Sequence, residues 1–178
     1  IRKCSEVILR NVQRLSAIIE DLLALARLED PQRRAMLEME PISIRTVVEA
    51  ALLAVREAAE KKGTTVEIDV QGTPTVMGTH ALLEQAMGNL ITNAIKYGNP
   101  DGEVTIRGRI LPETAEVRIE IEDSGPGIAH EHLERIFERF YRVEGGRSRE
   151  LGGTGLGLAI VKHIASVLGG SIEVRSQL

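Results

Sequence analysis

No tryptophan occurs in the 178 residues, and only four other aromatic side chains do: Tyr97, Phe137, Phe140 and Tyr141. A core must therefore be built from Leu, Ile, Val and Ala, and the aromatic platforms on which single-stranded nucleic acids stack are absent. Positive charge is short as well. The 22 Lys and Arg are outnumbered by 26 Asp and Glu, for a formal net charge of −4, so no nucleic-acid partner has support from bulk electrostatics. Cys4 is the single cysteine, which excludes an internal disulfide and a cysteine-built zinc site and fits a reducing compartment. No apolar run approaches the ~18 residues needed to cross a bilayer, and no signal peptide precedes the first helix. A segment without membrane contact of its own is expected, one that can still belong to a longer membrane protein.

The remaining composition, 43% hydrophobic and 27% charged, is that of an ordinary globular protein. The length suffices for one good core with an appendage, or for two small domains. Cys4, Ile8, Asn11, Leu15, Ile18, Leu22 and Leu25 alternate spacings of four and three, which predicts a helix over residues 1–30. So narrow a seam suits a helix bundle as well as it suits an ordinary amphipathic helix. Pro31 ends it, and 31–36 reads as a linker.

From residue 37 the hydrophobic period changes repeatedly. "MLEMEP" is a candidate strand, and 43–62 a helix with Ser43 as N-cap and Gly63 as stop. "TTVEIDV" and "PTVMG" follow as strands, then a helix capped by Thr79. "EVTIRGRIL" and "AEVRIEIED", around a "PET" turn, form an antiparallel hairpin. A short helix near 130–137, a polar loop over 144–153, a helix over 154–168 and the strand "SIEVRS" complete the chain. Hairpins mixed with helices point to α+β: a two-layer sandwich of one mixed, largely antiparallel sheet with helices on one face.

Four stretches carry chemistry. In "EQAMGNLITNAIKYGNP" the apolar positions 83, 87, 90 and 94 form the stripe expected to be buried, while Asn89, Asn93, Lys96 and Tyr97 share the neighbouring one. Amide oxygens are hard neutral ligands suited to Mg²⁺, which takes its other ligands from water and phosphate. A lysine one turn on neutralises phosphate. A helix edge with solvated amides would show the same pattern. In "VRIEIEDSGPGI" a strand ends in Asp123 and turns through Gly125 and Gly127. A pocketed acid there can read an exocyclic amine, and glycine lets backbone approach a ligand closely; a plain strand–turn–helix connection is the alternative. Pro126 and the missing third glycine exclude a dinucleotide fingerprint.

"LGGTGLGLAIVKHI" places Gly153, Thr154, Gly155, Leu156 and Gly157 at the start of a strongly apolar helix, where backbone N–H groups attract anions. No G-K-[ST] is present, so this is no P-loop. The preceding "RVEGGRSRELGG" has the make-up of a lid carrying cations. "RIFERFYR" holds three of the four aromatics. Phe137 and Phe140 are spaced to pack on one side with Arg139 and Arg142 beside them, Phe137 reading as a structural anchor and Arg142 as a candidate phosphate contact.

In this order the motifs resemble the nucleotide-binding domain of sensor histidine kinases, within the wider family of gyrase, chaperone and mismatch-repair ATPases. The resemblance covers 37–178: "NLITNAIKYGNP" is similar to the N box, "EDSGPGI" to the G1 box, "IFERFYR" to the F box and "GTGLGLAI" to the G2 box. "RNVQRLSAIIEDLLALARLED" resembles the second helix of the family's dimerisation and phosphotransfer domain. The resemblance implies ATP and Mg²⁺ as cofactors, with Asn93 the principal metal ligand and Asn89 assisting. It implies phosphate contacts for Lys96 and Arg142, packing on adenine for Tyr97, and the adenine amino group for Asp123. Gly125 and Gly127 would shape the base pocket. Gly153, Thr154, Gly155, Leu156 and Gly157 would serve the phosphates. It further implies a response-regulator receiver domain as partner, a homodimer through the N-terminal bundle, and a place on the cytoplasmic side of a membrane-anchored bacterial sensor.

Two departures qualify it. None of His80, His130, His132 or His163 has the context of the family's phosphoacceptor, and the chain stops at "EVRSQL", before the family's last strand. In the related ATPases a glutamate four residues before the metal asparagine activates water. Here that position is Asn89, whose neutral amide cannot act as a base. Transfer to an external nucleophile is thus favoured over hydrolysis, with a conformational ATPase as the alternative.

Overall fold

The computed structural model describes residues 2–143 and 153–178, which divide into two compact units. One comprises residues 37–129 and 175–178, the other residues 1–36 and 130–174. Of the polar stretch read as a lid, residues 144–152 lie outside the described residues.

The 37–129 unit is a two-layer α+β structure. Strand β1 (Glu40–Ser43) leads into helix α3 (Ile44–Lys62), after which come β2 (Thr65–Val70), β3 (Thr75–Gly78), α4 (His80–Tyr97), β4 (Glu103–Ile110) and β5 (Val117–Asp123). The β4–β5 hairpin is antiparallel, running from Val104 opposite Asp123 to Ile110 opposite Val117. β2 pairs with the other edge of β4 in parallel, Thr65 opposite Glu103, with α4 in the connection between them. Such a parallel pair needs a long crossover, and α4 supplies it. β1 and β3 form a separate antiparallel ladder, Glu40 opposite Gly78. The sheet expected as one piece is therefore two among the described residues, of two and three strands.

Alternation along β4 explains the layering. Val104 and Ile106 are buried, while Arg107 and Arg109 on the opposite side pair with Glu122 and Glu120 of β5 at 2.6 and 3.4 Å. Helices α3 and α4 pack on each other, α3 also on β1 and β2, and α4 on β4 and β5. Ile44, Val47, Val48 and Ala51 of α3 are buried, as are Leu83, Ala86, Met87, Ile91, Ala94 and Ile95 of α4. Ile91, fully buried, holds the centre expected of Leu90, which is half-buried; a stripe centred on 87, 91 and 94 follows the helical period more closely.

Both helices stop and start for visible reasons. Gly63 takes the left-handed φ of 72° and its N–H caps α3, a conformation that favours glycine. Thr79 accepts the Leu82 N–H at 3.3 Å to open α4. Ser43 occupies the N-cap position of α3, yet its hydroxyl makes no capping bond. Instead the Ile44 N–H is taken by the Pro74 carbonyl, 3.0 Å away, across the ladder's end.

The other unit holds α1 (Arg2–Glu29), α2 (Pro31–Ala35), α5 (His130–Leu133) and α6 (Gly157–Val167). The stretch read as a linker is thus mostly a helix. Asp30 accepts the N–H groups of Gln32 and Arg33, and Pro31 sits in the first turn, where its missing N–H costs nothing. α1 and α6 pack together. Leu25 and Leu28 of α1 are buried, but Val7, Ile8, Leu9, Val12, Leu15 and Ile19 are each about half exposed. α5 is shorter than expected, ending in turns after Leu133. "SIEVRS" joins no ladder among the described residues. The strand placed at "MLEMEP" is shifted forward to Glu40–Ser43. No helix among the described residues is long and apolar enough to cross a membrane.

Candidate functional site

In the 37–129 unit the asparagine helix and the first glycine turn meet. Asn89, Asn93 and Lys96 are half-buried along α4, and Tyr97, at its last position, is exposed beneath the Lys96 ammonium, 5.4 Å from the ring centre. The chain leaves α4 through Gly98 and Asn99. The Asn99 side-chain amide donates to the Ser124 carbonyl at 2.6 Å, and the Ser124 hydroxyl accepts the Glu103 N–H at 2.8 Å. Those bonds hold the turn after β5 against the end of α4. A β-carbon at Gly125 would stand 3.3 Å from both the Gly98 α-carbon and the Tyr97 carbonyl oxygen, so the two backbones touch where only glycine fits comfortably.

Asp123 ends β5 with its carboxylate folded back, accepting the Gly125 N–H at 2.8 Å. It is exposed rather than enclosed. Gly127 has φ of 77° and is packed against the Gln177 backbone, while the neighbouring Ile128 N–H donates to Ser176 Oγ at 2.8 Å. Asn93, Lys96, Tyr97, Asp123, Gly125 and Gly127 thus belong to one unit, and Asn99 and Ser124 join its two motifs. Nothing in the reading of single motifs singled out Asn99 or Ser124; the signal was the polar "GNP" after a helix beside an Asp-Ser turn. A groove of about 410 Å³ lies elsewhere, between α3 and β2, lined by Leu52, Leu53, Val55, Val66 and Ile68. None of the motif residues reaches it.

The other unit binds the second pair of motifs to each other. Gly155, at φ 74°, accepts the Phe140 N–H at 2.9 Å, and a β-carbon there would come within 2.9 Å of the Phe140 backbone. Arg142 donates to the Gly153 carbonyl at 3.3 Å. Thr154 donates its hydroxyl proton to Asp21 of α1 at 2.7 Å and accepts the Leu156 N–H. Leu156 is fully buried, and Gly157 opens α6. Glu29 of α1 accepts from Arg139 and lies 3.2 Å from His163. Phe140 does not pack beside Phe137: it is exposed, with φ of 62°, because its backbone is committed to Gly155. His132 bonds to Tyr141, Nδ1 to hydroxyl 2.7 Å, and His80 lies 3.5 Å from Glu84, so both histidines have structural partners.

A sheet covered by α3 and α4, with paired amides on α4 and an acid–glycine turn at its end, has the form of a nucleotide-binding ATPase domain. Comparison with known proteins agrees. Residues 78–178 match the family described as histidine kinase-, DNA gyrase B-, and HSP90-like ATPase. The sensor-like histidine kinase SenX3 of Mycolicibacterium smegmatis is 36% identical over 99% of this chain and 45% of its own length. The solved structure of the Acinetobacter baumannii histidine kinase AdeS superposes with a TM-score of 0.77 at 31% identity, covering 97% of this chain and 77% of that one. Full-length ShkA in complex with AMPPNP gives 0.75 at 26% identity, over 98% of this chain and 36% of ShkA. The chain belongs to this ATPase family and contains the catalytic ATPase domain of a sensor histidine kinase. It spans less than half the length of the SenX3 relatives it matches.

Proposed function

We propose that this domain positions Mg·ATP so that the γ-phosphoryl group passes to a histidine imidazole on another helix of the full-length protein. The observation that carries the reading is the closure of the Asp123–Gly127 turn on the end of α4, which brings a candidate base-reading acid to the helix bearing Asn89, Asn93 and Lys96. AMPPNP in ShkA supports the nucleotide class. Asp123 takes the adenine amino group, Tyr97 packs on the base, and Gly125 and Gly127 keep the turn tight enough to admit it. Arg142 and the stretch Gly153–Gly157 are assigned to phosphate on their motifs.

The donor set fits magnesium. Asn93 and Asn89 offer neutral amide oxygens one helical turn apart, and no three His, Cys, Asp or Glu side chains gather into a metal cage among the described residues. An ion held that way draws its remaining ligands from phosphate and water. When bound, it offsets charge on the phosphate oxygens. Lys96 adds a fixed cation to the same end of the helix. In the transfer an imidazole nitrogen lone pair forms the N–P bond, the bond from phosphorus to the β–γ bridging oxygen breaks, and ADP leaves with that electron pair. Positioning and charge neutralisation are what such a loose transition state asks of the protein. Because Asn89 stands where a water-activating glutamate would, that position supplies no base for hydrolysis.

The wider assignments have the same standing. Residues 1–30 are proposed as the second helix of a dimerisation and phosphotransfer domain, 31–36 as its connection, and 37–178 as the catalytic domain. The exposed apolar side chains of α1 would meet a second copy in a homodimer, and a response-regulator receiver domain would take the phosphoryl group onward. A membrane-anchored sensor with this part on the cytoplasmic side completes the reading. The test is transfer of γ-³²P from ATP to a separately supplied dimerisation domain carrying an acceptor histidine. Label on that histidine, acid-labile and dependent on Asn93, is expected. Steady phosphate release without any acceptor would instead favour a conformational ATPase.

A further inference from the structure

The four carbonyls at the end of a helix have no partner within it. In α4 they are those of Ala94, Ile95, Lys96 and Tyr97. Ala94 is satisfied by the Gly98 N–H at 2.9 Å. Those of Ile95 and Lys96 are satisfied from outside the helix, by one side chain. Lys62, the last residue of α3, places its ammonium 2.5 Å from the Ile95 oxygen, 2.9 Å from that of Lys96 and 2.7 Å from that of Gly98. An ammonium has three donors, and here three carbonyls converge on it. The fourth carbonyl, of Tyr97, is the one against which the Gly125 backbone packs.

The lysine is itself anchored. Gly63 turns the chain directly after it, and the Lys62 carbonyl accepts the Asp101 N–H at 3.1 Å, from the turn that follows α4. Its side chain is half-buried, so these bonds are not open to replacement by bulk water on every side. The cation also sits where the helix dipole is negative. Without it, two carbonyls would be left to fray the turn that carries Lys96 and Tyr97.

We infer that Lys62 is a positioning residue for nucleotide binding: it fixes the last turn of α4, and through that turn the placement of Lys96, Tyr97 and the Asp123–Gly127 turn. The inference rests on the nucleotide reading above. Charge-assisted bonds of this kind are individually strong, so loss of the ammonium is expected to weaken Mg·ATP binding by roughly 10- to 100-fold.

The experiment compares Lys62→Met with the unaltered protein by calorimetry with Mg·ATP, and by amide hydrogen exchange without nucleotide. Expected are the affinity loss and faster exchange confined to residues 95–99 and 123–127. Val70→Ala, which trims a buried side chain of β2, serves as the stability control and should leave affinity within about twofold. Should Lys62→Met fail to fold, Lys62→Gln, which keeps two donors, is read the same way with a smaller loss. Unchanged affinity overturns the inference, as do exchange that quickens evenly across the unit and an equal loss in the control. An unaltered protein that binds no Mg·ATP would instead remove the functional reading beneath it.

Discussion

Gly125→Ala separates binding from folding. The new β-carbon would stand 3.3 Å from the Gly98 α-carbon and the Tyr97 oxygen, closer than usual, so the backbone there must yield slightly. Its most serious overlap is with the Asp123 carboxylate, the free end of an exposed side chain that can swing away. Moving that carboxylate gives up its bond to the Gly125 N–H, which in so exposed a place contributes at most about 1 kcal/mol to stability. The consequence for ligand is larger. A re-aimed Asp123 no longer meets the adenine amine, and a hydrogen bond to a charged acceptor is worth roughly 1.5–3 kcal/mol, or about 10- to 150-fold in Kd. Calorimetry with Mg·ATP and Mg·GTP on the variant, beside a thermal melt, reads both effects. The expected result is a weaker and less base-selective site in a domain that melts within a few degrees of the original. Retained affinity and retained preference for adenine would show that Asp123 does not read the base.

Asn93→Asp should change metal-dependent nucleotide binding while leaving the melt nearly unaltered, and unchanged Mg·ATP affinity by calorimetry would remove Asn93 from the metal's ligands. Chelating magnesium with EDTA is expected to abolish transfer to a supplied acceptor domain, measured by ³²P labelling. Gly155→Ala places a side chain at φ 74° and within 2.9 Å of the Phe140 backbone, which should cost about 2 kcal/mol or more in urea unfolding. Ile91→Ala empties a fully buried site on α4 and should cost about 2–5 kcal/mol in the same assay.

Much of the 37–129 unit could be read from local pattern. Alternation in "EVTIRGRIL" and "AEVRIEIED" sufficed for the hairpin because the two strands are neighbours in sequence and each alternates between a more covered and a more exposed face. Gly63 and Thr79 marked helix ends because capping is decided within a few residues. The parallel pairing of β2 with β4 was not legible, since its partners are separated by a whole helix and period alone carries no partner. "SIEVRS" alternates like a strand yet finds no ladder here, and propensity without a neighbour makes none. α2 escaped notice because Pro31 signals both a helix end and a helix first turn. For the proposed site, motif order pointed to Asn93, Lys96 and Asp123, but not to the tie that Asn99 and Ser124 make between their segments. Lys62 was harder still. Its partners lie more than thirty positions along, and one cation before a glycine looks like any other helix end.

The unit of α1 and α6 is interrupted in sequence by nearly the whole of the other. A ribosome making this chain therefore finishes α1, with its Leu25 and Leu28, some 125 residues before it begins the helix that packs beside it. The inserted part, apart from its last four residues, is made within that interval. Until then α1 lacks the helix it packs against here, and transiently exposed apolar side chains of that kind are what chaperones bind.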